Sequence, residues 1–172
     1  MQTDPRAQHL DLERALAAGD LAGIRVVFAG ARDFPDVADP LTGAPLLPLA
    51  LRQAPASLVY VLLDLGADVN VLDANRRAAL HCAITREGPE RYDLLAALLM
   101  HGAAPDQPDG DGQTPLHVAA ARDDAHAIEI LLTHGADAAG HPATPETPLA
   151  LAVRMGHHAA AAALERSRDD AP

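Results

Sequence analysis

The sequence predicts an all-α solenoid, about five helix–turn–helix units stacked side by side with loops projecting from one edge. Three observations carry this expectation. First, 49% of the 172 residues are hydrophobic, yet only 2% are aromatic, with Phe28, Phe34, Tyr60 and Tyr92 and no tryptophan. Alanine and leucine make up the difference, and such a core suits closely packed helices better than the β-branched and aromatic strands of a sandwich or barrel. Second, Gly66-Ala67-Asp68-Val69, Gly102-Ala103-Ala104-Pro105 and Gly135-Ala136-Asp137-Ala138 recur at separations of 36 and 33 residues, each after a leucine-rich helix end. Third, another marker keeps the same phase: Thr114-Pro115-Leu116-His117 returns as Thr147-Pro148-Leu149-Ala150, weakens to Ala78-Ala79-Leu80-His81 and fades to Ala44-Pro45-Leu46-Leu47. Two unrelated markers with one period define a repeat.

Gln8 to Ala31 reads as an N-terminal helix pair without a good marker loop, within a first unit of about residues 8–38. Arg32 to Pro40, rich in proline and aspartate, separates it from units at about 39–72, 73–108, 109–141 and 142–168. The 109–141 unit is the clearest. Thr114 is placed to cap a helix that opens on Pro115, where a missing N–H costs nothing. Leu116, Ala119 and Ala120 give that helix an apolar face. A second helix, about Ala127 to Thr133, is expected to bury Ile128, Leu131 and Leu132, and Gly135 to end it in a left-handed conformation. Residues 136–146 then project as a loop. One such pair cannot bury both its faces, so it must stack on neighbours.

At Asp109-Gly110-Asp111-Gly112-Gln113-Thr114-Pro115-Leu116-His117-Val118-Ala119-Ala120, continuing to Ile128, Ile130, Leu131, Leu132 and Gly135, the chain resembles the ankyrin repeat family. The likeness covers nearly the whole chain and is strongest in this unit. Against the family's pattern, the 73–108 unit carries three extra residues, placed at Glu87-Gly88-Pro89-Glu90, and Arg76 stands where a turn glycine is expected, which predicts a less regular loop. The last helix is expected over His158 to Arg166, with Ser167 to Pro172 frayed. Polar residues should cap both ends: His9, Asp11, Glu13, Arg14 and Arg25 at one, Glu165, Arg166, Arg168, Asp169 and Asp170 at the other.

A formal net charge of -11 opposes nucleic acid and anionic membrane as partners. No uncharged apolar stretch approaches the roughly 18 residues of a membrane helix, and the polar start resembles no signal peptide, so a cytoplasmic, monomeric protein is expected. Cys82, the single cysteine, reads as a buried small hydrophobe, and no cofactor is expected. His81 and His117 occupy equivalent positions. A zinc pair would need further ligands that no motif supplies, and the family resemblance implies a structural histidine that bridges neighbouring loops. His157-His158 reads as an exposed surface pair. Asp106, Asp109 and Asp111 have a faint calcium-loop look without the closing glutamate. No nucleophile–base series or phosphate-cradling loop is present, so no catalytic or metal-binding residue is assigned.

The resemblance implies a partner-binding concave surface made by loop tips and first helices. Transferred to this chain, the tips are Leu41-Thr42, Asn75 to Arg77, Asp111 to Gln113 and Thr144 to Glu146. The first-helix positions are Leu51-Arg52, Thr85-Arg86, Ala121-Arg122 and Arg154-Met155. The candidate binding residues are therefore Arg52, Asn75, Arg77, Thr85, Arg86, Asp111, Gln113, Arg122, Thr144, Glu146 and Arg154, for a protein or peptide. Arg52, Arg86 and Arg122 fall in register, with Arg154 one residue early, so four of 13 basic residues form a row that would receive acidic groups. The expected function is a non-enzymatic scaffold, adaptor or inhibitor. Its rivals are an oligomerising structural protein and, more remotely, a metal-dependent enzyme.

Overall fold

A computed structural model describes residues 4–140 and 144–169 of the chain. Residues 141–143, where the repeat phase puts the boundary between the last two units, lie outside the described residues, as do 1–3 and 170–172. Among the described residues ten helices run in chain order: α1 (Pro5–Ala18), α2 (Leu21–Val27), α3 (Leu46–Gln53), α4 (Ala56–Asp64), α5 (Ala79–Thr85), α6 (Glu90–Met100), α7 (Pro115–Ala121), α8 (Ala125–Thr133), α9 (Pro148–Met155) and α10 (His158–Asp169). They form five antiparallel pairs. The first helices α3, α5, α7 and α9 pack in one row, the second helices α4, α6, α8 and α10 in another. The chain is thus an all-α solenoid of stacked helix–turn–helix units.

Local side chains set the helix ends. Asp4 caps α1 by accepting from the Arg6 N–H, and Asp20 and Asp124 cap α2 and α8 through the Gly23 and Ala127 N–H groups. Thr147 does the same for α9 through the Ala150 N–H, with Pro148 at the first helical position. Gly135 takes φ +88° just beyond α8, so the chain can turn into the loop. Leu116, Ala119 and Ala120 are fully buried along α7, as are Ile128 and Leu131 along α8. Ala50, Ala79, Ala83 and Ala152 are also at 0% exposure, so the first-helix row is spaced by methyl groups. Leucines dominate the larger side chains in the core, and each fully buried one contributes roughly 1.5–3 kcal/mol relative to exposure.

Two helix limits and the burial of one leucine differ from what the sequence suggested. α8 begins at Ala125, because Asp124 supplies the cap. Leu132 is half-buried rather than buried. α10 continues to Asp169, with Ser167 Oγ donating to the Leu164 carbonyl within the helix, so Ser167 to Asp169 are helical rather than frayed. The side chains of Arg168, Asp169 and Asp170, expected in the polar cap, lie outside the described ones. Of the three extra residues of the 73–108 unit, all expected between its helices, one lies there and two lengthen the second helix. α6 has 11 residues where α8 has nine, and the connection 86–89 is one residue longer than 122–124.

Candidate partner-binding surface

The loop tips are built by aspartates. Asp109 Oδ1 accepts from the Asp111 and Gln113 N–H groups, both at 2.9 Å, and Gly112 completes the turn at φ +80°. Asp73 Oδ1 makes the same pair of bonds to the Asn75 and Arg77 N–H groups, at 2.8 and 2.9 Å. The loop around Arg76 is therefore as regular as its neighbour, contrary to the expectation from its missing glycine. The cost is borne by the backbone: Arg76 sits at φ +56°, in the left-handed region. Asp39 plays the same part in the preceding loop, accepting from the Leu41 N–H, from Thr42 Oγ1 and from His9 Nδ1 at 2.7 Å. Burial alone would raise the Asp39 pKa, but these hydrogen bonds prevail and hold it below the usual carboxylate range. His9 thus ties α1 to the first tip.

Both marker histidines bridge adjacent loops. His81 Nε2 donates to the Gln113 carbonyl at 3.0 Å, and His117 Nε2 donates to the Glu146 carbonyl at 2.8 Å. The two differ on the other ring nitrogen. His117 Nδ1 accepts from the Thr114 N–H and lies 2.8 Å from Thr114 Oγ1. His81 has Ala78 in that place, and its Nδ1 is buried without a partner. Burial lowers the His81 pKa below its ordinary value, which keeps the ring neutral.

A second series of loop bonds had no counterpart in the sequence analysis. Asp36 Oδ1 accepts from the Asp68 N–H at 2.7 Å, Asn70 Oδ1 from the Ala104 N–H at 2.8 Å, and Asp106 Oδ1 from the Asp137 N–H at 2.9 Å. Residues 36, 70 and 106 are 34 and 36 apart, which is the repeat period, and that spacing was the signal available for finding them. Asp106 and Asp109 are thereby committed to backbone groups rather than gathered round a cation. Among the described residues no group of three or more His, Cys, Asp or Glu is placed to hold a metal ion. Cys82 is 3% exposed, and burial, with Asp73 adding to it, pushes its thiol up to about 11, so it stays protonated.

The arginine row runs along the C-terminal ends of the first helices, but its members differ. Arg52 lies in α3 and is exposed. Arg86 ends α5 in an extended conformation, and its guanidinium donates to the Leu51 and Ala54 carbonyls at 2.8 and 2.7 Å. Arg86 thereby closes the end of α3, where the last carbonyls have no N–H donors within the helix. Arg122 ends α7 with Glu87 3.7 Å away, and Arg154 meets Glu146 through two bonds of 2.9 Å. This contact holds the Glu146 carboxyl below its ordinary pKa. Leu51, expected on the exposed face, is fully buried because α5 packs over it.

The remaining candidates sit around this row and the tips. Asn75, Asp111 and Thr85 are exposed; Gln113, Thr144 and Glu146 are partly covered. Thr144 Oγ1 donates to the Gly112 carbonyl, and Thr85 Oγ1 bonds back to its own helix through the His81 carbonyl at 2.9 Å. Arg77 is half-buried, with Nε 3.4 Å from Asp73. His157 is not the free surface residue expected: its Nδ1 donates to the Ala120 carbonyl at 2.8 Å, closing the end of α7 much as Arg86 closes α3. A further cluster, missed in the sequence, joins α6 to α8. Arg91 and Tyr92 both reach the buried carboxylate of Asp124, at 2.9 and 3.1 Å.

A family model for ankyrin repeats (3 copies) matches residues 46–138 and, in an overlapping placement, residues 88–169. Among curated relatives, inversin of Gallus gallus is 30% identical over 124 residues, 72% of this chain and 11% of inversin. The transient receptor potential channel pyrexia of Drosophila melanogaster is 36% identical over 127 residues, 71% of this chain and 12% of the channel. An ankyrin repeat-containing protein of Treponema pallidum (strain Nichols) is 33% identical over 96 residues, 55% of this chain and 31% of that protein. The chain therefore spans less than a third of the length of each of these relatives.

Proposed function

We propose that this chain, which belongs to the ankyrin-repeat family, is a non-enzymatic module that holds a protein or peptide along its first helices and loop tips, acting as a scaffold, adaptor or inhibitor. Folds of this family generally mediate protein–protein interactions. No helix of the described residues is long and apolar enough to cross a membrane. We read the chain as a single cytoplasmic domain, monomeric on its own, that takes neither nucleic acid nor cofactor. The observation that carries the reading is the division of labour between two sets of side chains. The stack is held by residues turned inward or tied to backbone, such as His81, His117 and Arg86. Arg52, Asn75, Asp111 and Arg122 are left exposed along one edge and one row, where the repeat does not need them. An extended, open surface of this kind suits a polypeptide better than a small molecule, which prefers an enclosed site.

The test is affinity purification of the binding partner from native extract, followed by measurement of its affinity for Arg52→Gln/Arg122→Gln across salt concentrations. The reading predicts weaker binding and a shallower salt dependence with an unchanged unfolding midpoint. Unaltered affinity and salt dependence would remove the arginine row from the binding surface. Self-association through the last unit is the second reading, favoured by Val153, 62% exposed on α9. Sedimentation at several concentrations separates the two.

A further inference from the structure

We propose that the recess between the C-terminal ends of α3 and α5 is a carboxylate pocket, which receives one glutamate or aspartate side chain of a bound peptide. The proposal rests on the first-helix row being the recognition surface, and it divides that row unequally. Arg154 is already paired with Glu146 in a two-bond contact, and Arg122 faces Glu87. Among the described residues, Arg52 has no carboxylate at ion-pair distance. Arg52 is exposed and unpaired on the first-helix row, so its field is open to a ligand.

The pocket is built as well as charged. Arg52, Gln53, Cys82, Thr85, Arg86 and Glu87 line a recess of about 380 Å³. That lies at the lower end of the roughly 300–1,000 Å³ of ligand pockets, room for one side chain and its flanking backbone. Connections that leave the helix in extended conformation flank it. Ala54 ends α3 at ψ 157° and Arg86 ends α5 at ψ 144°, whereas Arg122 ends α7 in a tight turn at ψ 1°. The insertion after Arg86 carries Glu87 outward, its side chain 92% exposed and directed at Arg122. Arg86 is fixed in advance, because two carbonyls hold its terminal nitrogens while its Nε is buried without an acceptor. Each terminal nitrogen carries a second N–H. A carboxylate entering beside it meets one immobilised cation and one mobile one, Arg52, that can close on it. A phosphate dianion is less suited, since Glu87 stands at the rim and the whole chain is acidic.

Selection of random dodecapeptides displayed on phage against the full chain, with the recovered peptides then synthesised, tests the assignment. The pocket predicts enrichment of Glu or Asp at one position. It predicts at least tenfold weaker binding when that residue becomes Gln or when the protein carries Arg52→Gln, whose exposed side chain should leave the unfolding midpoint unchanged. Replacing the peptide's acid with phosphoserine should not improve affinity. A selection without acidic enrichment overturns the pocket, as do acidic peptides unaffected by Arg52→Gln or peptides that bind tighter with phosphoserine. Peptides that ignore Arg52 but lose affinity with Arg122→Gln would overturn the pocket while leaving the first-helix surface of the preceding section in place.

Discussion

Replacing Ala78 with threonine should stabilise the protein by about 1–2 kcal/mol, since it supplies a helix cap and a partner for a buried histidine nitrogen. Ala78 holds φ -74° and ψ 166°, close to the -81° and 165° of Thr114, so threonine fits the existing backbone. Ala78 is 2% exposed and Thr114 0%, so the two sites are equally enclosed. At the second site Thr114 Oγ1 lies 2.8 Å from His117 Nδ1; at the first, His81 Nδ1 has no hydroxyl to accept from. A threonine cap is worth about 0.5–2 kcal/mol over alanine, and relieving an unsatisfied buried acceptor adds roughly 1 kcal/mol. Fitting two more heavy atoms costs part of that gain. Urea denaturation at neutral pH reads the difference. The gain should shrink by more than half in a His81→Ala background, because the histidine is the partner. An unchanged or lowered stability, or a gain that ignores His81, would refute the argument. The same histidine gives a pH signature. Burial depresses its folded pKa, so the unfolded chain takes up more protons near its ordinary value of 6.5. This contribution is complete above about pH 6.5 and is lost as the pH falls towards the folded pKa.

Other expectations follow from single side chains. Leu131→Ala should cost about 2–5 kcal/mol by leaving a cavity between stacked helices. Gln113→Ala, which keeps the carbonyl that His81 uses, should change stability by less than about 0.5 kcal/mol, and equal losses in denaturation would contradict the packing described. Arg76→Gly should raise stability by about 0.5 kcal/mol, the relief of the left-handed strain less the added freedom of the unfolded chain; a loss would mean that the arginine side chain compensates for its backbone. The Asp39 pKa is lowered in the fold, so its contribution is present above the ordinary value of 3.8 and lost as the pH falls through the folded value. His9→Ala should shift that acid transition upward in a pH titration of the unfolding midpoint, and a midpoint curve unchanged below pH 5 would show that the tie between α1 and the first tip contributes nothing.

The parts of the fold legible in the sequence are those whose causes lie within one turn of chain. Thr114 with Pro115 starts α7, and Gly135 ends α8, whatever the rest of the molecule does. The loop bridges of His81 and His117 were legible only through family resemblance, because nothing in the residues themselves points to a carbonyl about 30 positions ahead. The knot of Arg91, Tyr92 and Asp124 was missed for that reason, and the Asp36, Asn70 and Asp106 ladder shows in the sequence only as a repeat spacing that names no partner. Their partners come from the next unit and depend on the stacking register. Arg76 failed in the opposite way: a rule about glycine suggested an irregular turn, but two bonds to Asp73 impose the turn on whichever residue is present. Within the arginine row, alignment placed the side chains but could not distinguish Arg86, spent on the end of α3, from Arg52, which is free of such ties.

Hydrogen exchange of the chain alone and in complex with its purified partner tests the proposed function most directly. Slowed exchange should concentrate in the first helices and tips, residues 41–53, 75–86, 111–122 and 144–155, with the largest change around Arg52 and Arg86. The second helices α4, α6 and α8 should exchange at the rate of the free chain. Protection confined to those second helices, or to the end faces at α1 and α10, would contradict the assignment of the first-helix row as the binding surface.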